Sequence, residues 1–162
     1  MSGRAFVFGD NIDTDVMAPG TLMKLPPEEL AQHCLAAVDP DFARTVAKGD
    51  FVVGGRSFGI GSSREQAAVS LGLLGVRAVI ARSFARIFWR NAINLGVPCI
   101  TLEQAGEISA GDRLEVDLAA GRLTNLTTGQ GYDFTPLPPH LMAMMDDGGL
   151  MPHLKKKLAG AA

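Results

Sequence analysis

At 162 residues the chain has the size of one ordinary domain, long enough to bury a core without disulfide or metal staples. Its 47 % apolar and 20 % charged residues exclude a disordered tail or a collagen-like repeat, and no apolar run approaches the roughly 20 residues that cross a bilayer. Lys and Arg (15) nearly balance Asp and Glu (17), which gives no general pull toward nucleic acid or anionic lipid.

Met1-Ser2-Gly3-Arg4 leads into no apolar stretch of signal-peptide length, so a cytoplasmic protein is expected. Arg4 to Phe8 reads as an opening strand closed by the turn Gly9-Asp10-Asn11. Ile12 to Leu25 carries Asp, Thr, Gly and Pro19-Gly20, the composition of a long ordered loop with a task. Pro27, followed by Glu28 and Glu29, opens a helix with Leu30, Cys34 and Leu35 on one face, ending before Asp39-Pro40. Phe51-Val52-Val53 is a short strand. Ser63 to Leu74 has helical spacing, Ala78 to Ala81 reads as a strand buried on both faces, Phe84 to Leu95 is again helical, and Pro98 to Leu102 is a third strand. A βαβαβ run of this kind predicts a parallel sheet with right-handed crossovers.

Beyond residue 106 the period changes to 2. Arg113 to Leu118, Leu123 to Thr127 and Tyr132 to Phe134, separated by Ala120-Gly121 and Gly129-Gln130-Gly131, predict an antiparallel meander. Helices over His140 to Met145 and Leu150 to Leu158 close the chain, and Lys155-Lys156-Lys157 complements the dipole of the last one. The expected class is α/β, a parallel centre with β-rich flanks.

The densest chemical signal is Gly54-Gly55-Arg56-Ser57-Phe58-Gly59-Ile60-Gly61-Ser62-Ser63-Arg64-Glu65. Glycines let the backbone bend and aim several N–H groups at one spot, a helix start adds its positive dipole end, and Arg64 adds a fork that grips carboxylates. Ser62 and Glu65 also spell a capping box, which would account for the serine without any chemistry. Neither the phosphate-binding nor the dinucleotide glycine pattern is present. Asp10, Asp13 and Asp15 form an acidic loop without calcium-loop spacing: either a turn holding its own backbone or carboxylates that hold a nearby arginine or serine. Arg82 to Asn94 carries Arg82, Arg86 and Arg90 beside Trp89, with Ser83 as an N-cap, and reads equally as a solvated helix face or a partner surface. His33, His140 and His153 are scattered. Cys34 and Cys99 are too few for a zinc site or an iron–sulfur cluster on this chain.

Asp10-Asn11-Ile12-Asp13-Thr14-Asp15, Gly59-Ile60-Gly61-Ser62-Ser63-Arg64-Glu65-Gln66-Ala67 and Ser83-Phe84-Ala85-Arg86-Ile87-Phe88 occur in this order in the swivel domain of the aconitase family. From about Ala5 to Leu158, including Asp147-Gly148-Gly149-Leu150, the chain resembles the free-standing swivel subunits of the isopropylmalate dehydratase type, near the homoaconitase small subunits. The resemblance implies a single swivel domain over residues 1–162. It implies a hydro-lyase interconverting 2- and 3-isopropylmalate through 2-isopropylmaleate, as in leucine biosynthesis, and active only with a large subunit that carries a [4Fe–4S] cluster.

On the matching positions the resemblance implies Ser62 as the base and Arg64 as its catalytic companion, with Arg64 and Ser63 binding the substrate carboxylate and steadying that base and Gly61 among the substrate-binding residues. Asp15 and Asp13 orient the loop from behind. Thr21, Leu22, Met23 and Lys24 reach the substituent that distinguishes substrates, and Met23 stands about where tricarboxylate-using relatives place an arginine. A thioether there suits an isopropyl or methyl group, whereas Lys24 would suit an extra carboxylate if the register slipped by one. The alternatives are a small subunit of homoaconitase or of a dimethylmalate or methylmalate dehydratase and, in another class, a standalone anion-binding module. A homo-oligomer of isolated copies, formed through surfaces that the partner covers, is compatible with this reading, and the sequence does not decide it.

Overall fold

A computed structural model describes residues 2–161. The strands are β1 (Ser2–Val7), β2 (Phe51–Val53), β3 (Ala78–Ala81), β4 (Cys99–Thr101), β5 (Arg113–Asp117), β6 (Arg122–Asn125) and β7 (Gly131–Asp133). They make one sheet in the order β4-β3-β2-β1-β5-β6-β7. The β1–β4 half is parallel and the β5–β7 half antiparallel, with β1 paired to β2 on one side and to β5 on the other. The first strand is therefore central, joining the two halves that the sequence separates by period.

Both faces of the parallel half are buried, and residue alternation divides them. Val52, Val79, Ala81 and Cys99 enter one apolar cluster; Phe51, Val53, Ala78, Ile80 and Ile100 enter the other. Each fully buried large apolar side chain contributes about 1.5–3 kcal/mol, so this two-sided burial accounts for the continuous apolar character of such short strands.

The helices are shorter than their sequence patterns. They are α1 (Thr14–Met17), α2 (Pro27–Ala31), α3 (Phe42–Thr45), α4 (Gln66–Leu73), α5 (Arg86–Asn94), α6 (Pro139–Asp146) and α7 (Leu150–Ala161), with single 3-10 turns at Gly20–Leu22 and Glu103–Glu107. The helix expected from Pro27 stops at Ala31 and continues as turns. Leu30, Cys34 and Leu35 are still all buried, and Leu35 takes a left-handed φ of 59° while its N–H donates to Val16 O at 3.0 Å. The loop expected over Ile12 to Leu25 holds a one-turn helix, nucleated by Asp13, whose Oδ1 accepts from Val16 N at 2.9 Å.

Two expected caps do not form. α5 opens at Arg86 behind Ala85, because Ser83 Oγ is occupied in accepting from Ser57 N at 2.8 Å. α4 opens at Gln66, four residues after Ser62, and Ser62 does not cap it. In α7, Lys156 Nζ pairs with Asp147 Oδ1 at 3.0 Å, and His153 Nδ1 sits 2.7 Å from Asp147 Oδ2, so Asp147 ties the last helix to the turn that precedes it.

Candidate active-site loop

Strand β2 ends in Gly54-Gly55, and the chain then runs over an aromatic cluster. Phe58 is fully buried with edge-on contacts to Phe84 (6.0 Å) and Phe88 (5.3 Å), and Phe84 stacks on Phe88 at 6.4 Å. Pairs of this kind add about 0.5–1.5 kcal/mol beyond area burial. Gly59, at φ 87°, rests so close to Phe88 that a Cβ would overlap the ring, so this position requires glycine for both its dihedral and its space. The aromatic cluster is thus the rigid floor of the loop.

The acidic loop lies against this one through a single β-bridge. Gly59 N donates to Ile12 O (2.6 Å) and Thr14 N to Ile60 O (2.8 Å), with Asp13 and Ile60 in a parallel bridge. Further back, Asp10 Oδ1 accepts from Arg56 N at 2.7 Å. Two motifs about 45 residues apart in sequence are in this way one site.

Thr14 carries the central contact. Its side chain is buried, and its Oγ1 accepts from Ser62 N at 3.1 Å while lying 3.1 Å from Ser62 Oγ. That bond explains why the capping box fails: Ser62 Oγ faces Thr14 instead of the helix amides. Thr14 is a functional candidate that reading by residue type missed; its only sequence signal is its place between Asp13 and Asp15. Ser62, Ser63 and Gly61 are exposed, so the face that bears the serines is open. Gly61 takes φ 109° directly over the Thr14 hydroxyl.

Arg64 is held from below. Its Nη1 donates to Asp15 Oδ1 at 3.0 Å and to Ala18 O at 2.9 Å, with 24 % of the arginine side chain and 68 % of the aspartate side chain exposed. Asp15 Oδ1 also accepts from Gly20 N at 2.8 Å. The Gly20 amide and the Arg64 guanidinium hold the Asp15 carboxyl below its ordinary range, so it stays ionised. One carboxylate therefore anchors both Arg64 and the turn that leads into Thr21, Leu22, Met23 and Lys24. Thr21 and Lys24 are exposed, whereas Leu22 and Met23 are half-buried and packed against the core cluster around Met17 and Leu30. Asn91, on α5, donates from Nδ2 to Ser63 O at 3.3 Å and is a further site neighbour that the sequence did not single out.

The thiols of this chain do not suit a cluster. Cys34 and Cys99 are both buried in the core, and burial pushes each thiol well above its ordinary value, opposite to the thiolate that iron requires.

Residues 33–105 match the family described as the Aconitase C-terminal domain. The chain is 51 % identical to 3-isopropylmalate dehydratase small subunit 1 of Thermotoga maritima, covering 95 % of this chain and 94 % of that relative. It is 49 % identical to the isopropylmalate/citramalate isomerase small subunit of Methanocaldococcus jannaschii (98 % and 96 % covered). With the methanogen homoaconitase small subunit of Methanothermobacter thermautotrophicus it shares 46 % identity (96 % and 91 % covered). The crystal structure of 3-isopropylmalate dehydratase from M. jannaschii matches with a TM-score of 0.92 at 41 % identity, over 99 % of this chain and 96 % of that one. With identity this high along nearly the whole length, the chain belongs to the aconitase family, among the small subunits of the 3-isopropylmalate dehydratase type.

Proposed function

We propose that this chain is the small, swivel subunit of a hydro-lyase that interconverts 2-isopropylmalate and 3-isopropylmalate through 2-isopropylmaleate. It acts when docked on a large subunit that carries a [4Fe–4S] cluster. The observation that carries this reading is the exposed Ser62 hydroxyl, 3.1 Å from the buried Thr14 hydroxyl, in the same loop as a guanidinium anchored by Asp15. When bound, the partner's cluster supplies a Lewis-acid iron that eases departure of the hydroxyl.

This chain's own part is proton transfer and orientation. Ser62 Oγ, as the alkoxide, takes the proton from the carbon adjacent to the hydroxyl-bearing one. The C–H electron pair becomes the new double bond as the C–O bond breaks, and the hydroxyl leaves with the C–O bonding pair as hydroxide. Rehydration adds hydroxide to the carbon that lost the proton and returns the proton from Ser62 to the carbon that bore the hydroxyl. A serine is a weak base at its free pKa, so the alkoxide must be stabilised. An alkoxide has no proton to give, so Thr14 Oγ1–H becomes the donor across the 3.1 Å contact, and the Arg64 charge adds electrostatic support. With Nη1 engaged by Asp15 and Ala18, the remaining Arg64 N–H groups are left for a substrate carboxylate, together with Ser63 and the Gly61 amide. Asp13 fixes the turn that presents Thr14.

For the substituent, Leu22 and Met23 stand half-buried on the turn hung from Asp15, packed against the core on one side, and what they leave exposed is apolar, which favours isopropyl over a third carboxylate. Two observations support a second reading, a tricarboxylate isomerase: Lys24 is exposed on that same turn, and a relative bears the homoaconitase name.

The test is anaerobic assembly with the cognate large subunit, followed by ultraviolet detection of the enoate from 3-isopropylmalate, citramalate and homocitrate in parallel. The expected result is turnover of 3-isopropylmalate well above that of homocitrate. A preference for homocitrate would overturn the substrate assignment. No turnover of any of them by a demonstrably cluster-loaded complex would overturn the enzyme reading in favour of an anion-binding module.

A further inference from the structure

Helix α5 has an unusual charge distribution. Arg86–Asn94 contains no Asp or Glu, its first residue is Arg86, and Ala85 before it offers no side-chain cap. A cation at the positive end of a helix dipole is disfavoured unless an anion comes to meet it. Arg86 and Arg90 are both exposed and, among the described residues, neither makes an ion pair, whereas Arg82 pairs with Glu103 and Arg64 with Asp15. Between them Ile87 is 50 % exposed.

Ile87, Asn91 and Leu95 follow one another at i, i+4 and i+8, along one side of the helix. Asn91 fastens that side to the serine loop through Ser63 O. One turn further, Leu95 closes an apolar groove of about 230 Å³ with Ala68, Val69, Gly72 and Leu73 of α4, and Leu73 is 50 % exposed at its rim. The serine loop and this groove therefore lie on the Asn91–Leu95 side of Ile87, and the two cations border Ile87 on its other side.

We infer that this α4–α5 face, centred on Ile87 and bordered on one side by Arg86 and Arg90, is a docking surface for the large subunit, which meets it with an apolar side chain set among carboxylates. The inference rests on the proposed function, in which the large subunit must cover Ser62 and Ser63. The face adjoins that loop, and Asn91 ties the two together. The unpaired arginines give the partner's charge, and the groove gives its apolar centre.

The test is a binding titration of this chain against the cluster-loaded large subunit at several salt concentrations. Three variants are compared with wild type after circular dichroism shows that each is folded: Arg86→Glu/Arg90→Glu, Ile87→Asp, and the exposed α7 pair Lys155→Glu/Lys157→Glu. The expected result is at least tenfold weaker binding for the first two, with the salt dependence flattened in the arginine double variant, and near wild-type binding for the lysine pair. Unchanged binding by the first two variants would overturn the inference. So would an equal loss in the lysine pair, and so would loss of self-association with normal binding to the large subunit. Failure of the proposed function looks different: wild-type subunits that bind tightly yet turn nothing over.

Discussion

Ser62 and Thr14 are coupled twice, through Ser62 N and through Ser62 Oγ, each 3.1 Å from the Thr14 hydroxyl. Valine matches threonine in shape and removes that hydroxyl alone. Thr14→Val is expected to lower kcat of the assembled enzyme by tenfold or more, within the range of losing one donor to a developing oxyanion. It should cost about 1 kcal/mol of stability for the unsatisfied Ser62 N–H. Parallel steady-state kinetics and thermal melts check both, and an unchanged kcat would remove Thr14 from the proposed chemistry. Residue types together with the family resemblance single out Ser62, Arg64 and Asp15 as candidates. They could not mark Thr14, because a buried threonine reads as filler until its neighbour 48 residues away is known.

At the scale of elements, the strands were legible because β2, β3 and β4 are short apolar runs and β5 to β7 alternate with period 2, and the burial of each follows from that difference. Helix boundaries were less so. The pattern over Ser63 to Leu74 and the S-x-x-E signature both place the helix start too early, since the Ser62 hydroxyl is engaged by Thr14 and α4 waits until Gln66. Ser83 fails as a cap for a similar reason, its Oγ being committed to Ser57 N. Local signals lost in both places to tertiary contacts between loops. The loop's rigidity rests on its aromatic floor, and Gly59→Ala tests that. A Cβ at φ 87° against Phe88 forces either the ring or the loop to move. The expected destabilisation is about 1–3 kcal/mol, the range for an overpacked core, read as a lower urea midpoint together with lost turnover. A variant as stable and active as wild type would show that the loop is not held by this contact.

At the scale of the whole molecule, a parallel half and an antiparallel half share β1, and the two motif loops follow the C-terminal ends of β1 and β2, strands that pair in register from Ala5↔Phe51 to Val7↔Val53. Adjacent parallel strands bring their following loops together, so the alternating βαβ pattern already implied that Asp10 to Asp15 and Gly54 to Glu65 could meet. What no pattern in one chain could supply is the opposite wall of the site, for the serine face is open. The most direct measurement is turnover of 3-isopropylmalate by complexes assembled with wild-type chain or with Ser62→Ala at matched occupancy of the large subunit. The substitution removes one hydroxyl that caps no helix, so stability should fall by no more than about 1.5 kcal/mol and assembly should persist. Turnover is expected to disappear while the complex remains intact. Retention of most of the rate in that intact complex would rule out Ser62 as the base.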